Sequence, residues 1–175
     1  WDNEEGKKAF WHSSSHVMAQ ALQDLYPRIK LTIGPPIKNG FYYDIDLGNN
    51  KISESDFNKI ENRILEICRG KFEFNIRSVS KTDALKFYEN EQNSYKLELI
   101  KELNDGEISF CDHDSFTDLC KGGHIPNTSL IKAVKILNIS GAFWRADQNK
   151  KQLTRVYGIS FPKQKLLKEY LYNIE

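Results

Sequence analysis

The sequence lacks the features that would mark a membrane or secreted protein. No apolar run among its 175 residues approaches the ~20 needed to span a bilayer. The first five residues do not show the basic-then-apolar pattern of a signal peptide. Only three cysteines are present (Cys68, Cys111 and Cys120), and their odd number and wide spacing do not make a disulfide framework. We therefore predict a cytoplasmic protein that does not act at a membrane.

Methionine is also scarce. The chain does not begin with Met, and its single methionine, Met18, lies inside a predicted helix. We expect the chain to be a fragment of a longer protein, forming a single domain over 1–175 with boundary segments at 1–9 and 173–175. A 39% hydrophobic content with 12% aromatic residues is enough to build a core and argues against disorder.

The net charge of +1 conceals an uneven distribution. Residues 121–175 carry ten Lys or Arg and three Asp or Glu, whereas residues 1–120 carry 15 and 21. The local balances are therefore +7 and −6. A basic segment can attract a polyanion such as a nucleic acid, but solvated surface lysines produce the same count.

Apolar periodicity predicts helices and strands in an irregular order. Helices are predicted over 5–25, 54–69, 81–89 and 94–103, and from Pro162 onward, with Pro162 at the first helical position. Strands are predicted over 31–33, 41–47, 72–79, 108–111, 132–144 and 152–161, with 112–129 as a loop. Because the elements show no βαβ rhythm, the predicted fold class is α+β, a largely antiparallel sheet packed with helices.

Two pairs of potential ligands stand four residues apart. His12 and His16 would project from one face of the first helix, although such a pair also occurs on ordinary helix surfaces. Ser stands where a zinc protease of the His-Glu-x-x-His type needs its Glu, which disfavours that class. Cys120 and His124 lie in a segment where Gly122-Gly123 predicts a loop. Three His and one Cys could form a tetrahedral zinc set, but only if the fold brings the pairs together.

Six ordered motifs resemble the editing domain of bacterial-type threonyl-tRNA synthetase over residues 10–172. The motifs are His12-Ser-Ser-Ser-His16, Ile33-Gly-Pro with Asn39-Gly-Phe-Tyr-Tyr-Asp44, Ser94-Tyr-Lys96, Asp118-Leu-Cys-Lys-Gly-Gly-His-Ile-Pro-Asn127, Gly141-Ala-Phe-Trp-Arg145 and Arg155-Val-Tyr-Gly158. The His/Cys signature is shared with alanyl-tRNA synthetase editing domains, and the other motifs favour the threonyl branch.

The resemblance implies hydrolysis of mischarged seryl-tRNA(Thr), with the acceptor end of tRNA(Thr) as the partner. It also implies a cleft in which His12, His16, Lys96 and Cys120 are catalytic. The substrate-binding residues implied by the resemblance are Gly34, Tyr43, Asp118 and His124. Lys96 and Asp118 match positions linked to water activation and substrate anchoring, and Asp118 suits the α-ammonium of the seryl group.

The resemblance implies no catalytic metal, although the alanyl branch binds zinc through this signature. Any metal would be held by His12, His16, Cys120 and His124. ATP binding, zinc binding, ligation and dimerisation are expected in a part of the parent synthetase that follows this chain, and the isolated domain is expected to be a monomer. Gly123 replaces a common Pro, which predicts a more mobile loop, and Ser14-Ser15 replaces a frequent Cys-Ala pair, which predicts altered packing.

Two alternatives remain open from the sequence. One is a tRNA-binding appendage without hydrolytic activity, with the basic residues of 121–175 as its working surface. The other is a zinc-dependent hydrolase of a small molecule.

Overall fold

A computed structural model describes residues 1–174 as an α+β fold with two antiparallel sheets. The helices are α1 (Glu4–Leu25), α2 (Phe57–Arg69), α3 (Lys81–Asn90), α4 (Ser94–Lys101) and α5 (Gln164–Asn173). The strands are β1 (Lys30–Leu31), β2 (Pro36–Ile37), β3 (Gly40–Asp46), β4 (Asn75–Ser78), β5 (Ser109–His113), β6 (Phe116–Leu119), β7 (Ala133–Phe143) and β8 (Gln152–Phe161). Short 3₁₀ turns cover Glu54–Asp56, Thr128–Leu130 and Trp144–Ala146.

The larger sheet has the order β1-β3-β8-β7, and β2 also pairs with β3. Its long hairpin, β7–β8, contains a register shift between Ile136 and Asn138. Helices α1 and α2 pack together and against this sheet. The main core lies between these layers, where Met18, Leu22 and Phe41 are fully buried.

The smaller sheet, β4-β5-β6, packs with α3 and α4 around a second apolar cluster. Buried members of this cluster include Ala84, Ile100 and Phe110. A third, small cluster of Tyr95, Trp144 and Leu153 joins α4 to the end of the β7–β8 hairpin. Among residues 1–174, no helix combines the length and apolar character needed to cross a bilayer.

Most predicted elements are present, and the predicted α+β class is confirmed. Ser53 and Asp56 form a capping box ahead of α2, and Gly70 ends that helix. Ser80 caps α3 by accepting a hydrogen bond from the Asp83 amide. Such N-caps can be recognised in a sequence because a Ser or Asp side chain bonds to backbone amides only two or three residues away.

Three local predictions were wrong. The strand predicted over 31–33 is β1, which ends at Leu31, and β2 lies between the strands predicted over 31–33 and 41–47. Lys163 is the N-cap of α5, so Pro162 precedes the helix instead of starting it. The predicted loop over 112–129 contains the end of β5 and all of β6, joined by a tight turn in which Asp114 has a φ of 52°. Asp is a weak strand former by propensity, but in β6 the pairing with β5 overrides that preference for Asp118.

The buried face of α1 should dominate the stability of the main core. Leu22 is fully buried, so Leu22→Ala should lower the free energy of unfolding by about 2–5 kcal/mol through lost burial and a cavity. Leu130, 42% exposed, is a matched control, and Leu130→Ala should cost under about 1 kcal/mol. Urea unfolding measures both values. Equal losses in the two variants would contradict this assignment of the core.

Candidate functional site

The two ligand pairs meet in one cluster. Helix α1 presents His12 and His16, and the loop after β6 carries Cys120 and His124. The four candidate ligand atoms all lie within 4.8 Å of one another. His12 Nε2 lies 3.3 Å from His16 Nε2 and 3.7 Å from Cys120 Sγ, and Cys120 Sγ lies 2.9 Å from His124 Nε2. The prediction that the pairs share one cleft cluster is confirmed.

The outward-facing ring nitrogens fix the imidazole orientations. His12 Nδ1 lies 3.0 Å from the carbonyl oxygen of Gly123. Because a carbonyl oxygen only accepts, the neutral His12 ring carries its hydrogen on Nδ1 and keeps the lone pair on Nε2. His124 Nδ1 lies 2.9 Å from Ser13 Oγ, which also accepts from the Ile125 amide. Ser13 therefore anchors the second ring to α1.

The glycine pair shapes the loop around His12. Gly122 has a φ of +118°, in the region that favours glycine. This loop conformation places the Gly123 carbonyl within hydrogen-bond distance of His12. The expected mobility of this loop stays a prediction. The neighbouring Ser14 and Ser15 are buried and hydrogen-bonded, with Ser14 Oγ 2.6 Å from Ser160 Oγ and Ser15 Oγ donating to Gly34 O at 2.7 Å.

Burial keeps the histidines of this region neutral. Desolvation lowers the pKa of His12 and holds the pKa of His16 well below its usual value. It also lowers the pKa of His124 to about 3 and that of His113, which lies next to the cluster, to about 4. At neutral pH these imidazoles can accept a proton.

The Cys120 thiol is not activated. A hydrogen bond with Cys111, together with burial, raises the pKa of Cys120 above its usual value. A nucleophilic cysteine needs the opposite shift, because the thiolate is the reactive form. Cys120 therefore acts here as a weak hydrogen-bond donor.

A buried ion pair lies beside the cluster. Lys96 Nζ lies 2.8 Å from Asp118 Oδ1, and both residues are only 2% exposed. The Tyr43 hydroxyl donates to Asp118 Oδ2 at 2.6 Å and accepts from Lys96 Nζ at 3.2 Å. Burial and Asp118 hold the pKa of Tyr43 well above its usual value, so its hydroxyl stays a donor. Lys96 thus projects from α4 into the interior, where it meets Asp118 of β6.

Residues that the sequence reasoning missed hold this pair in place. Tyr88 donates to Asp118 Oδ1 at 3.4 Å and accepts from the Leu119 amide. Asn93 caps α4 by accepting from the Lys96 amide, and it donates to the Leu31 carbonyl. The N-cap pattern before 94–101 could have revealed Asn93, whereas nothing local to the sequence indicates Tyr88.

Seven of the eight predicted site residues line one cavity of about 530 Å³. They are His12, His16, Gly34, Tyr43, Lys96, Asp118 and Cys120. The eighth, His124, is half-buried and is not among the lining residues, but it stacks on His12 at 4.2 Å between ring centroids. At Gly34 a Cβ atom would lie 2.1 Å from Tyr43 Cδ2, so any side chain there would displace Tyr43.

The cluster also fits a zinc ion. Zinc–nitrogen bonds are about 2.0 Å long and zinc–sulfur bonds about 2.3 Å. In a tetrahedral site with such bonds, the ligand atoms would lie about as far apart as His12 Nε2 lies from His16 Nε2 and from Cys120 Sγ here. The outward nitrogens of His12 and His124 have the hydrogen-bond partners that orient metal ligands. Four protein ligands would nevertheless fill a tetrahedral ion and leave no open position, which is the pattern of structural sites and not of catalytic ones.

Four of the ten basic residues in 121–175 form ion pairs. Lys135 pairs with Glu61, Arg145 with Glu98 and Glu102, Lys150 with Glu98, and Arg155 with Asp44. Each carboxylate partner belongs to residues 1–120, the acidic portion. Of the ten basic residues in 121–175, only Lys121 lines the cavity. The charge asymmetry of the sequence therefore does not translate into a basic face at the site.

Comparison with known proteins identifies the family. A family model described as "Threonyl and Alanyl tRNA synthetase second additional domain" matches residues 108–157, which contain Asp118, Cys120 and His124. The whole chain is 66% identical to the threonine–tRNA ligase of Flavobacterium johnsoniae, 63% to that of Flavobacterium psychrophilum and 55% to that of Parabacteroides distasonis. The chain belongs to the threonyl-tRNA synthetase family. It spans 27% of the length of each of these relatives. The resemblance to the editing domain of the threonyl-tRNA synthetases is thereby confirmed.

The neutral buried histidines should make folding sensitive to mild acid. The pKa of His113 is about 4 in the fold and about 6.5 in an unfolded chain, so the unfolded chain binds more protons between these values. Stability should therefore fall as pH drops below 6.5, with His113 contributing up to about 1.4 kcal/mol per pH unit. Urea unfolding at pH 7.5, 6 and 5 measures this slope.

The variant His113→Gln provides the control, since an amide can still bond to Gln20. It should unfold with a shallower dependence on pH between 6.5 and 5. An unchanged slope would show that His113 is not the titrating group.

Proposed function

We propose that this chain hydrolyses the ester bond of seryl-tRNA(Thr), as the proofreading domain of a threonine–tRNA ligase. The observation that carries the proposal is the convergence of seven predicted residues on one cavity that holds neutral imidazoles beside a buried ion pair. Ester hydrolysis needs a proton acceptor for water and a positive group for the developing oxyanion. Both kinds of group line this cavity.

The proposed substrate follows from the discrimination problem of the family. Serine lacks one methyl group relative to threonine, and one methyl gives a binding pocket only about 1–3 kcal/mol of discrimination. A second site that admits serine and excludes threonine by its size supplies the rest. In this cavity, Tyr43 packs directly against Gly34 and is held by Asp118, so the wall there is rigid.

The proton acceptor in the proposed reaction is His12. Its Nδ1 hydrogen is bonded to Gly123 O, which leaves the Nε2 lone pair available. Water attacks the seryl carbonyl carbon, its proton passes to His12 Nε2, and the bond to the ribose oxygen breaks. The protonated His12 then returns its Nε2 proton to the ribose oxygen, which releases serine and free tRNA and restores the neutral imidazole. We assign this role to the imidazole and not to Lys96, because the ion pair with Asp118 occupies the lysine as a cation.

Lys96 supplies the positive charge of the proposed site. Lys96 is buried, and a fixed charge in a buried site stabilises an oxyanion more than it would in water. Asp118 holds Lys96 and Tyr43, and one of its oxygens also lies 3.7 Å from His16 Nδ1. An α-ammonium bound by Asp118 would therefore share the carboxylate with Lys96.

We further propose that the reaction proceeds without a metal. If zinc bound, the cluster of His12, His16, Cys120 and His124 would hold it, and it would supply Lewis-acid polarisation. Four protein ligands leave that ion no position for water.

A further part of the proposal concerns the parent synthetase. We propose that the parent protein attaches threonine to tRNA(Thr) with ATP, as the names of its relatives indicate, and that it acts in the cytoplasm as a homodimer. The isolated domain is proposed to be a monomer.

The proposal predicts selective deacylation. The chain should release serine from seryl-tRNA(Thr) and leave threonyl-tRNA(Thr) largely intact in a single-turnover assay. His12→Ala should slow serine release by about 10²–10⁴-fold, because the proton acceptor is lost. Equal hydrolysis of both substrates, or of neither, would contradict the proposal.

A cysteine pair provides a matched control. Cys120→Ala should slow serine release, whereas Cys68→Ala, which removes a buried thiol outside the cavity, should retain the rate. RNA binding with no deacylation by the wild type would instead favour the tRNA-binding appendage.

Metal dependence is tested by chelation. Serine release should persist after treatment with EDTA, and elemental analysis should show no zinc in proportion to protein. Stoichiometric zinc, together with activity lost on chelation and restored by zinc, would overturn the metal-free mechanism. Turnover of small esters in that state without RNA would favour a zinc-dependent hydrolase.

A further inference from the structure

A second groove lies next to the catalytic cavity. It has a volume of about 340 Å³, at the lower end of the ~300–1,000 Å³ typical of ligand pockets. Its lining comes from the first turns of α1 and from the β2 hairpin. The lining residues are Glu4, Lys7, Lys8, Trp11, Pro36, Ile37 and Lys38.

The groove and the catalytic cavity share a wall. Lys8 and Pro36 line both spaces, so a chain leaving the cavity can enter the groove across these two residues. Trp11, Pro36 and Ile37 give the groove an apolar surface, and Ile37 is exposed. Trp11 is fixed by donation from its indole Nε1 to the Ser160 carbonyl at 2.9 Å.

The rim of the groove carries uncompensated positive charge. Among residues 1–174, Lys7, Lys8 and Lys38 make no ion pair, and neither does Lys121 at the cavity edge. Glu4 is the acidic residue that lines the groove, so lysines outnumber it three to one. In the β7–β8 hairpin, in contrast, four of the five basic side chains are paired with carboxylates, Lys151 being the exception among the described residues.

We propose that this groove binds the nucleotide that precedes the 3′-terminal aminoacylated adenosine of the tRNA. The inference rests on the proposed function, because that function places the terminal ester in the adjoining cavity. The phosphate groups of the strand meet Lys7 and Lys38, and the base lies on the apolar surface. Single-stranded nucleic acid is commonly held in this way, by basic residues along the backbone and apolar or aromatic surfaces under the bases.

The groove lies in a different part of the chain from the basic segment that the charge count indicates. The count of charges along the sequence points to residues 121–175, whereas the groove uses lysines from residues 1–120. The two surfaces can be tested against each other with matched double variants. One is K7Q/K38Q in the groove, and the other is K165Q/K168Q on α5, where both lysines are exposed and line neither the groove nor the cavity.

The experiment measures KM and kcat for seryl-tRNA(Thr) over a range of salt concentrations. For K7Q/K38Q we expect KM to rise about tenfold or more, with kcat nearly retained. The slope of log KM against log salt should fall by about 0.7 for each phosphate contact removed. The seryl ester of adenosine alone, which lacks the preceding nucleotide, should lose far less kcat/KM. K165Q/K168Q should match the wild type.

A second measurement separates this inference from the proposed function. Binding of an unacylated oligonucleotide with the tRNA 3′ sequence is compared between the wild type and both double variants. If the wild type deacylates but K7Q/K38Q keeps its KM and salt slope, the groove assignment is overturned and the proposed function stands. If the wild type does not deacylate, the proposed function fails. Oligonucleotide binding then decides the groove assignment: loss in K7Q/K38Q alone supports it, and equal binding by all three proteins, or no binding, overturns it.

Lys7 Nζ also lies 5.5 Å from the centre of the Trp1 ring, so the K7Q substitution removes a contact within the fold. Melting temperatures of the variants therefore show whether a change in KM reflects lost stability. The single variant Lys38→Gln leaves that contact intact and should show about half of the change in salt slope. A normal slope in Lys38→Gln, with a lowered melting temperature in the double variant, would attribute the effect to folding and overturn the assignment.

Discussion

The ion pair between Lys96 and Asp118 is the constraint around which the site is organised. A charge taken out of water is costly unless it is paired and hydrogen-bonded, and here each charge depends on the other. The pair joins α4 to β6, and Tyr43 ties both to β3 of the larger sheet. Because these elements belong to different packing layers, the pair forms only when both sheets and their helices are assembled. The cavity is therefore a product of the complete fold.

The surroundings of the pair explain several features of the chain that look unrelated in sequence. Asn93 starts α4 where Lys96 can turn inward, and the end of the β7–β8 hairpin fixes the far side of that helix. Trp144 donates to Glu98 at 2.5 Å, and Arg145 bonds Glu102 through two nitrogens. Arg145 has a φ of 56°, in a region that is unfavourable for a side-chain-bearing residue. These contacts offset that cost and hold the helix that carries Lys96.

A polar stretch of α1 is buried for a related reason. Ser13, Ser14 and Ser15 are fully buried although serine is a weak core residue. Each hydroxyl has a partner: Ser13 serves the loop of His124, Ser14 meets Ser160, and Ser15 reaches Gly34. A buried polar group is tolerable when it is hydrogen-bonded. The helix can thus present histidines to a cleft while it packs against its neighbours.

The sequence alone determined the fold class, most helices and strands, and the family, because periodicity, caps and ordered motifs are local signals. It also named the residues of the cavity through the resemblance. It could not show β6, whose polar residues become a strand only by pairing with β5, nor the part played by Tyr88. Its count of charges did not indicate the charge at the site, since four of the ten basic residues in 121–175 pair with distant carboxylates and only Lys121 lines the cavity. Only the tertiary structure decided which lysines face the cavity and which carboxylate is buried, because both depend on contacts between elements far apart along the chain.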